Sequence, residues 1–281
     1  MSGVNRTVPL SSNQQSASEW DHDSHDEFFR YYAAASSTPE ARERFRRIRE
    51  TVLRVQRRNW GERTFEVADI GCGAGTQSLL WAELGHRVHG LDVNKPLLDL
   101  ARKRAAEAGH EIDFRLGSAT SLPLADGSVD ICLAVELIEH VADWQSCVNE
   151  FTRVLRPRGV LFISTTNTLC PRQDEFTLPL YSWYPAFAKR YCERLAVTTH
   201  PELANYAKYP AVNWFSYYGL RKALVERGFE TVMDRFDLIL MRDAGIAVKA
   251  LVRSIRSVPP LRWLGHLATP GTTVVAVKSA R

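Results

Sequence analysis

"VADIGCGAG", residues 67–75, decides the fold. Apolar residues lead up to Asp69, and glycines then stand at 71, 73 and 75. "TQSLLWAELG" follows at 76–85 with the apolar spacing of a helix. A short apolar strand, a glycine turn and a helix start in that order make a ligand cradle, because glycine permits tight turns and close backbone approach. A dinucleotide fingerprint, GxGxxG, needs a third glycine at 76, and Thr76 stands there instead. That weakens the dinucleotide reading without removing it. The next strand, "RVHGLDV" (87–93), ends in Asp92, where a carboxylate can accept bonds from ribose hydroxyls.

Reading outward, helix and strand patterns alternate. "KPLLDLARKRAAEAG" (95–109) predicts a helix, with Pro96 tolerated in its first turn. "EIDFRL" (111–116) and "SVDICLAV" (128–135) predict strands, Trp144–Leu155 a helix, and "GVLFISTT" (159–166) a strand. Such alternation predicts an α/β, Rossmann-like, mostly parallel sheet with helices on both faces. The pattern breaks near 168. Residues 176–218 then hold twelve of the chain's 28 aromatics, dotted with prolines, which predicts an inserted cap. "YGLRKALVERGFE" (218–230) returns to helix, "TVMDRFDLIL" (231–240) reads as strand, and "GTTVVAVKS" (271–279) as a last strand.

The division predicted is a disordered N-terminus over 1–25, a helical cap over 26–60, a cofactor-binding core over 61–168, a specificity insertion over 169–215, and the rest of the core over 216–281. Residues 26–36 suggest a short aromatic helix. Residues 40–58 predict a longer one, with Phe45, Ile48, Val52 and Val55 on one face and eight arginines that read mainly as a solvated surface.

Bulk composition narrows the partners. Of 281 residues, 45% are hydrophobic, enough for a sizeable core. The 36 basic and 32 acidic residues leave +4, which gives no general case for nucleic-acid binding. No apolar leader and no run of about 18 apolar residues stands out. Five scattered cysteines without a CxxC pair predict free thiols in a reducing, cytoplasmic setting. Over 246–258, Val248, Leu251, Val252 and Ile255 share one helical face, and Lys249, Arg253 and Arg256 another. An ordinary sheet-packed helix is the plain reading, and peripheral contact with an anionic membrane is the sharper one. Oligomeric state is not legible.

Taken together, "VADIGCGAG", the acid in "GLDVN", "SLPLADGSVDICLAVELIEHV" and "EFTRVLRPRGVLFIST" resemble the class I S-adenosylmethionine-dependent methyltransferases, over about residues 65–166. The motif pattern is most similar to that of the ubiquinone-biosynthesis O-methyltransferases. The resemblance implies a seven-stranded sheet with one antiparallel strand near the C-terminus. It implies that Asp69, Gly71, Cys72, Gly73 and Gly75 hold the methionine end of S-adenosyl-L-methionine. Asp92 and Val93 would hold the ribose, Ser118 and Ala119 would flank the adenine, and Val135 would line the same cleft. Many relatives carry an acid where Ser118 stands, so here the backbone takes over that contact.

"AVELIEHVADW" (134–144) follows the fourth strand directly, at the edge where open parallel sheets bind ligands. If helix begins at once, Glu136, Glu139 and His140 share one side and can converge on Mg²⁺ or another divalent metal, with Mn²⁺, Fe²⁺ or Zn²⁺ suiting the imidazole better. In the other reading no metal is used, Glu139 steadies the helix, and His140 is the general base with Glu136 next in line. Both readings stay open on the sequence.

The strand-four segment lacks an Asp/Asn-Pro-Pro-Tyr/Phe run, which disfavours base-type amino methylation, and a Pro-Cys pair, which disfavours cysteine-mediated cytosine chemistry. Cys132 reads as core. Trp183, Tyr184, Trp214, Phe215, Tyr217 and Tyr218 are predicted to wall an apolar acceptor pocket. The resulting expectation is methyl transfer to a small, fairly apolar molecule, most simply at a hydroxyl oxygen, with no nucleic-acid partner. N-methylation of a small amine, 2′-O-methylation of RNA, and a non-catalytic cofactor-binding partner protein are the alternatives.

Overall fold

The computed structural model describes residues 35–205, 207, 209–239 and 245–280. The segment expected to be disordered, 1–25, and nearly all of the aromatic helix expected over 26–36 lie outside the described residues.

The first long helix, α1 (Pro39–Trp60), is capped by Thr38, whose side chain accepts from the Ala41 N–H at 3.2 Å. Strand β1 (Glu66–Ile70) then leads through the glycine turn into α2 (Thr76–Ala82). Next come β2 (Arg87–Asp92), α3 (Lys95–Glu107), β3 (Asp113–Leu116), β4 (Val129–Val135), α4 (Trp144–Val154) and β5 (Leu155–Thr166). Within the insertion only α5 (Ala186–Ala196) is a helix of any length among the described residues. The chain closes with α6 (Tyr217–Glu226), β6 (Phe229–Asp234), a single turn α7 (Arg235–Leu238), α8 (Ile246–Ser257), α9 (Pro259–Leu267) and β7 (Gly271–Lys278). The strand expected over 231–240 stops at Asp234, because Asp234 and Asp237 cap each other's backbone and start α7.

Among the described residues the strands form one seven-stranded sheet in the order β3-β2-β1-β4-β5-β7-β6. β7 runs antiparallel to both β5 and β6, and the other pairs are parallel. This is the predicted Rossmann-like α/β sheet with its one reversed strand. The alternation in β1 explains the two covered faces. Val67 packs with Val52, Leu53 and Val55 of α1 and Trp81 of α2, whereas Ala68 and Ile70 pack with Cys147, Val148 and Phe151 of α4 and Leu220 and Leu224 of α6. Cys132, buried in β4, belongs to the second of these cores, as its place in a strand predicted.

The insertion leaves and rejoins the sheet at one point. Asn167 and Phe215 form a parallel bridge, and the Thr168 N–H donates to the Phe215 carbonyl at 2.9 Å. Its rings make a core of their own. Phe176 and Tyr181 stack at 4.0 Å, and Tyr184 and Trp214 lean on Tyr181 at 5.3 and 5.5 Å.

Candidate functional site

The carboxyl ends of β1, β2 and β4 meet at the glycine turn. Gly71, Gly73 and Gly75 all hold positive φ, at 75°, 50° and 77°. The turn is shaped by its own bonds. The N–H groups of Gly71 and Cys72 both donate to the Leu91 carbonyl, at 2.7 and 3.0 Å, and the Gly75 N–H donates to the Cys72 carbonyl at 2.9 Å. A Cβ on Gly75 would stand 2.7 Å from Ala101 Cβ and 3.0 Å from Phe114 Cζ, so this glycine lets the turn sit down on α3 and β3. The third glycine of the dinucleotide pattern has therefore moved one place earlier while keeping its close-packing task.

Asp92 is fastened to the turn. Its Oδ2 accepts from the Gly73 N–H and its Oδ1 from the Asn94 N–H, both at 2.8 Å. Withdrawal from water raises its pKa, and the backbone donors Asn94, Gly73 and Val93 oppose that rise. A carboxylate offers about four acceptor directions, so both oxygens keep capacity for a ribose diol. Asp69 is buried beneath the turn and accepts from the Ser78 hydroxyl at 2.6 Å. Burial pushes its carboxyl up to about 6, against the Ser78 bond and with Asp92 adding to the rise. Burial and the same two carboxylates push the Cys72 thiol up as well, so it is an apolar wall rather than a nucleophile.

Ser118 uses its hydroxyl locally, 2.8 Å from the Thr120 hydroxyl and 3.2 Å from the Thr120 N–H. Ala119 beside it is buried. Val135, half-buried, ends β4 and packs against the core shared with α1. The positive-φ glycine cradle and the tethered Asp92 fit an adenosine-type cofactor such as S-adenosyl-L-methionine.

Residues 68–163 match a family described as "Methyltransferase domain". Over that span the chain carries a methyltransferase domain. It is 36% identical over 102 residues to the ubiquinone biosynthesis O-methyltransferase of Bartonella tribocorum, covering 36% of this chain and 41% of that protein. It is 36% identical over 140 residues to a probable S-adenosylmethionine-dependent methyltransferase of Mycolicibacterium smegmatis, covering 49% and 52%. The chain thus matches about half, or less, of the length of these curated relatives. Among solved structures, phosphoethanolamine N-methyltransferase 2 of Haemonchus contortus in complex with S-adenosyl-L-methionine superposes with a TM-score of 0.52 at 19% identity, covering 82% of this chain and 52% of that one. That likeness is one of fold.

Beyond the cofactor cradle of the methyltransferase domain lies 136–143, and here the structure corrects the sequence reading. No helix starts at Glu136. The segment is a run of turns, and helix begins only at Trp144, capped by Asp143. The register that would gather Glu136, Glu139 and His140 on one side is absent. Among the described residues no three His, Cys, Asp or Glu groups are placed to hold a metal ion. The three side chains diverge for identifiable reasons. Glu136 sits at φ 50°, an uncommon conformation for a residue with a Cβ, and faces solvent, where Arg44 Nη1 donates to its Oε1 at 2.6 Å. Glu139 turns inward, and its Oε2 accepts from the Thr165 hydroxyl at 2.9 Å. Its Oε1 is buried without a partner. Burial pushes this carboxyl up to about 8, against its bonds from Thr165 and its own backbone and with Glu175 and Glu136 adding to the rise. This donor set does not fit a divalent ion as arranged.

His140 is placed differently. Its imidazole is hydrogen-bonded to the backbone of Tyr209 and Pro210 at the end of the insertion, and its Nδ1 is covered and has no partner. Such bonding puts the ring proton on Nε2 and leaves the Nδ1 lone pair free. Burial lowers its pKa, against the backbone bonds and Glu136, so the ring is neutral at neutral pH.

The predicted aromatic wall is divided in two. Tyr184 and Trp214 pack in the insertion's own core, with Lys189 Nζ 4.6 Å over the Trp214 ring. Trp183 lies largely in solvent, its indole N–H donating to the Leu169 carbonyl at 2.8 Å. Phe215 meets Trp144 edge-on at 5.2 Å in the main core. Tyr217 stacks on His266 at 5.0 Å, and Tyr218 meets the same imidazole at 5.6 Å. These rings therefore fasten the insertion and α9 to the sheet instead of lining one pocket.

Sequence reasoning missed three residues here. Asn213 clamps the turn, its Nδ2 donating to the carbonyls of Ile138 and Val141 at 3.1 and 2.7 Å. Arg44 reaches Glu136 across 92 positions. Glu175, from the insertion, is pushed up to about 7 by burial and by Glu136 and Asp174 nearby. Nothing local in the sequence marks any of them. The arginines of α1 also depart from a simple solvated face, since Arg49 and Arg54 donate to the carbonyls of Leu80 and Leu238 at 2.5 and 2.7 Å.

Proposed function

We propose that the protein transfers a methyl group from S-adenosyl-L-methionine to a hydroxyl oxygen of a small, fairly apolar acceptor, with His140 as general base. The observation that carries this reading is the neutral His140 ring whose Nδ1 is covered and unpartnered beside the edge of β4. A hydroxyl must lose its proton as it attacks, and phenol-like hydroxyls ionise only near pH 10, so a base is needed. A neutral amine attacks with its own lone pair and needs no base beforehand. The O-methyltransferase named among the relatives supports the same choice.

S-adenosyl-L-methionine, when bound, supplies a methyl carbon already activated by a sulfonium. The chain's residues do the rest. Asp92 and the glycine turn fix the donor end. His140 Nδ1 takes the hydroxyl proton. The carbonyls of Tyr209 and Pro210 hold the Nε2 proton and so aim the ring. The insertion covers the edge of the sheet and keeps the acceptor oriented, which is where most of the rate gain in such a transfer arises.

Replacing His140 by Gln keeps the size and loses the base. It is expected to lower kcat about 10²–10⁴-fold with S-adenosylhomocysteine affinity unchanged. Because burial lowers the imidazole pKa, the acid limb of kcat/KM in the parent should lie below the ordinary value near 6.5. A full-rate His140→Gln enzyme with the same pH profile would remove the assignment. An acceptor screen with a labelled methyl donor supplies the substrate for this assay.

A further inference from the structure

β5 and β6 both run antiparallel to β7, so β6 ends at Asp234 on the same edge of the sheet as the glycine turn. β7 begins at Gly271, opposite Thr166 at the end of β5. The α8–α9 hairpin therefore leaves from and returns to the edge that carries the active site. Asn167 secures it there, its Nδ2 donating to the carbonyls of His266 and Thr269 at 2.8 and 2.7 Å.

The inner side of the hairpin is firmly held. Arg256 donates to the carbonyls of Phe236, Asp237 and Ile239. Arg262 pairs with Asp234 and Asp237, and His266 Nε2 lies 2.9 Å from Asp234 Oδ2. Gly265 presses so closely on Phe236 that a Cβ would stand 2.5 Å from its Cζ. The outer side is apolar and bare. Ile246 is 87% exposed, Leu251 60%, Leu264 49%, Trp263 44%, Val258 41% and Leu261 39%. The predicted apolar face of α8 is thus only partly inward, since Val252 is buried and Val248 and Leu251 are exposed.

The charged side chains of the hairpin itself are all basic. From Gly245 to the C-terminus the sequence contains no Asp or Glu. Lys249 and Arg253 lie on α8, Arg253 exposed and Lys249 half-buried. We propose that the α8–α9 hairpin docks the protein on an anionic phospholipid surface, its leucines and Trp263 entering the headgroup boundary and Lys249 and Arg253 meeting the phosphates. An exposed apolar face bordered by cations, with a tryptophan at its rim, has the composition of an interfacial helix. A second copy on this face would bring lysine and arginine against like charges with no carboxylate across from them. The proposal goes beyond the acceptor chemistry and does not rest on it.

The full chain is mixed with vesicles of phosphatidylcholine containing about one third phosphatidylglycerol, and with vesicles of phosphatidylcholine alone, and sedimented. Retention on the anionic vesicles alone, weakened by added salt, is expected. Leu261→Gln with Leu264→Gln, and separately Lys249→Glu with Arg253→Glu, should each cut retention about tenfold or more while Tm stays near that of the parent. No retention of the parent, or equal retention of both variants, overturns the proposal. A parent dimer that the leucine substitutions break, without vesicle binding, assigns the face to a second copy and also overturns it.

Discussion

Glu139 is 1% exposed, and its carboxyl is held at about 8 against an ordinary value near 4.5. A carboxyl whose folded pKa is raised binds more protons in the native than in the unfolded chain. Stability is then greatest below the unfolded pKa and falls as pH rises through the folded one. Glu175, held at about 7, acts in the same direction. His140, with a lowered pKa, acts oppositely, but only below about 6.5. Between pH 6.5 and 8 the carboxyls therefore set the slope. Tm should fall by several degrees over that interval, and Glu139→Gln should flatten the fall and stabilise the protein at pH 8. A variant with the parental slope would show that Glu139 is not the group responsible. His140 belongs to the same scale. Its assignment depends on one nitrogen without a partner, which is why His140→Gln is the informative change.

The glycine turn and the 136–143 segment are two loops of opposite character. The first is fixed by its own backbone bonds and by the absence of a Cβ at Gly75. Gly75→Ala would bring the new methyl to 2.7 Å from Ala101 Cβ at φ 77°. A loss of about 1–3 kcal/mol in denaturant titration is expected, with weaker S-adenosylhomocysteine binding. The second loop is fixed from outside. Asn213 Nδ2 satisfies two carbonyls of the turn, and the Glu139 carbonyl accepts from the N–H groups of Val212 and Asn213 at 2.8 and 3.1 Å. Asn213→Ala should cost about 1–3 kcal/mol and raise the acceptor KM more than it lowers cofactor affinity. Equal losses at both ligands would mean the clamp serves the whole edge and not the acceptor side. "LIEHVADW" carries helix-like spacing, yet the chain makes turns there. Glu136 takes a left-handed conformation, and the first effective cap is Asp143.

Across the whole molecule the insertion joins the sheet at the Asn167–Phe215 bridge, is tied to the 136–141 turn by Val212 and Asn213, and keeps its own aromatic core over 176–207 and Trp214. Apart from Phe215, the sheet and cofactor cradle make their cores without it. Replacing residues 171–207 by a short flexible linker should leave a folded protein still stabilised by S-adenosylhomocysteine, by about 2.7 kcal/mol at 100 times its dissociation constant. Methyl transfer should be abolished, because the acceptor loses its cover. A shortened chain that no longer responds to S-adenosylhomocysteine would show that the insertion is part of the cradle. Among the described residues no helix is long and apolar enough to cross a membrane.

The order of strands and helices, the glycine turn and the acid that closes β2 were all determined by the sequence. These depend on short-range chemistry: period-two and period-3.6 burial, capping side chains, and the freedom of residues without a Cβ. The directions of Glu136, Glu139 and His140 were decided only by the tertiary structure. Arg44, Thr165, Tyr209 and Asn213 meet them from three distant segments of the chain. The same is true of the aromatic rings, whose composition announced an apolar cap but whose partners were a neighbouring ring or His266. A local pattern states which side chains a segment offers. Where each one points depends on what folding brings against it.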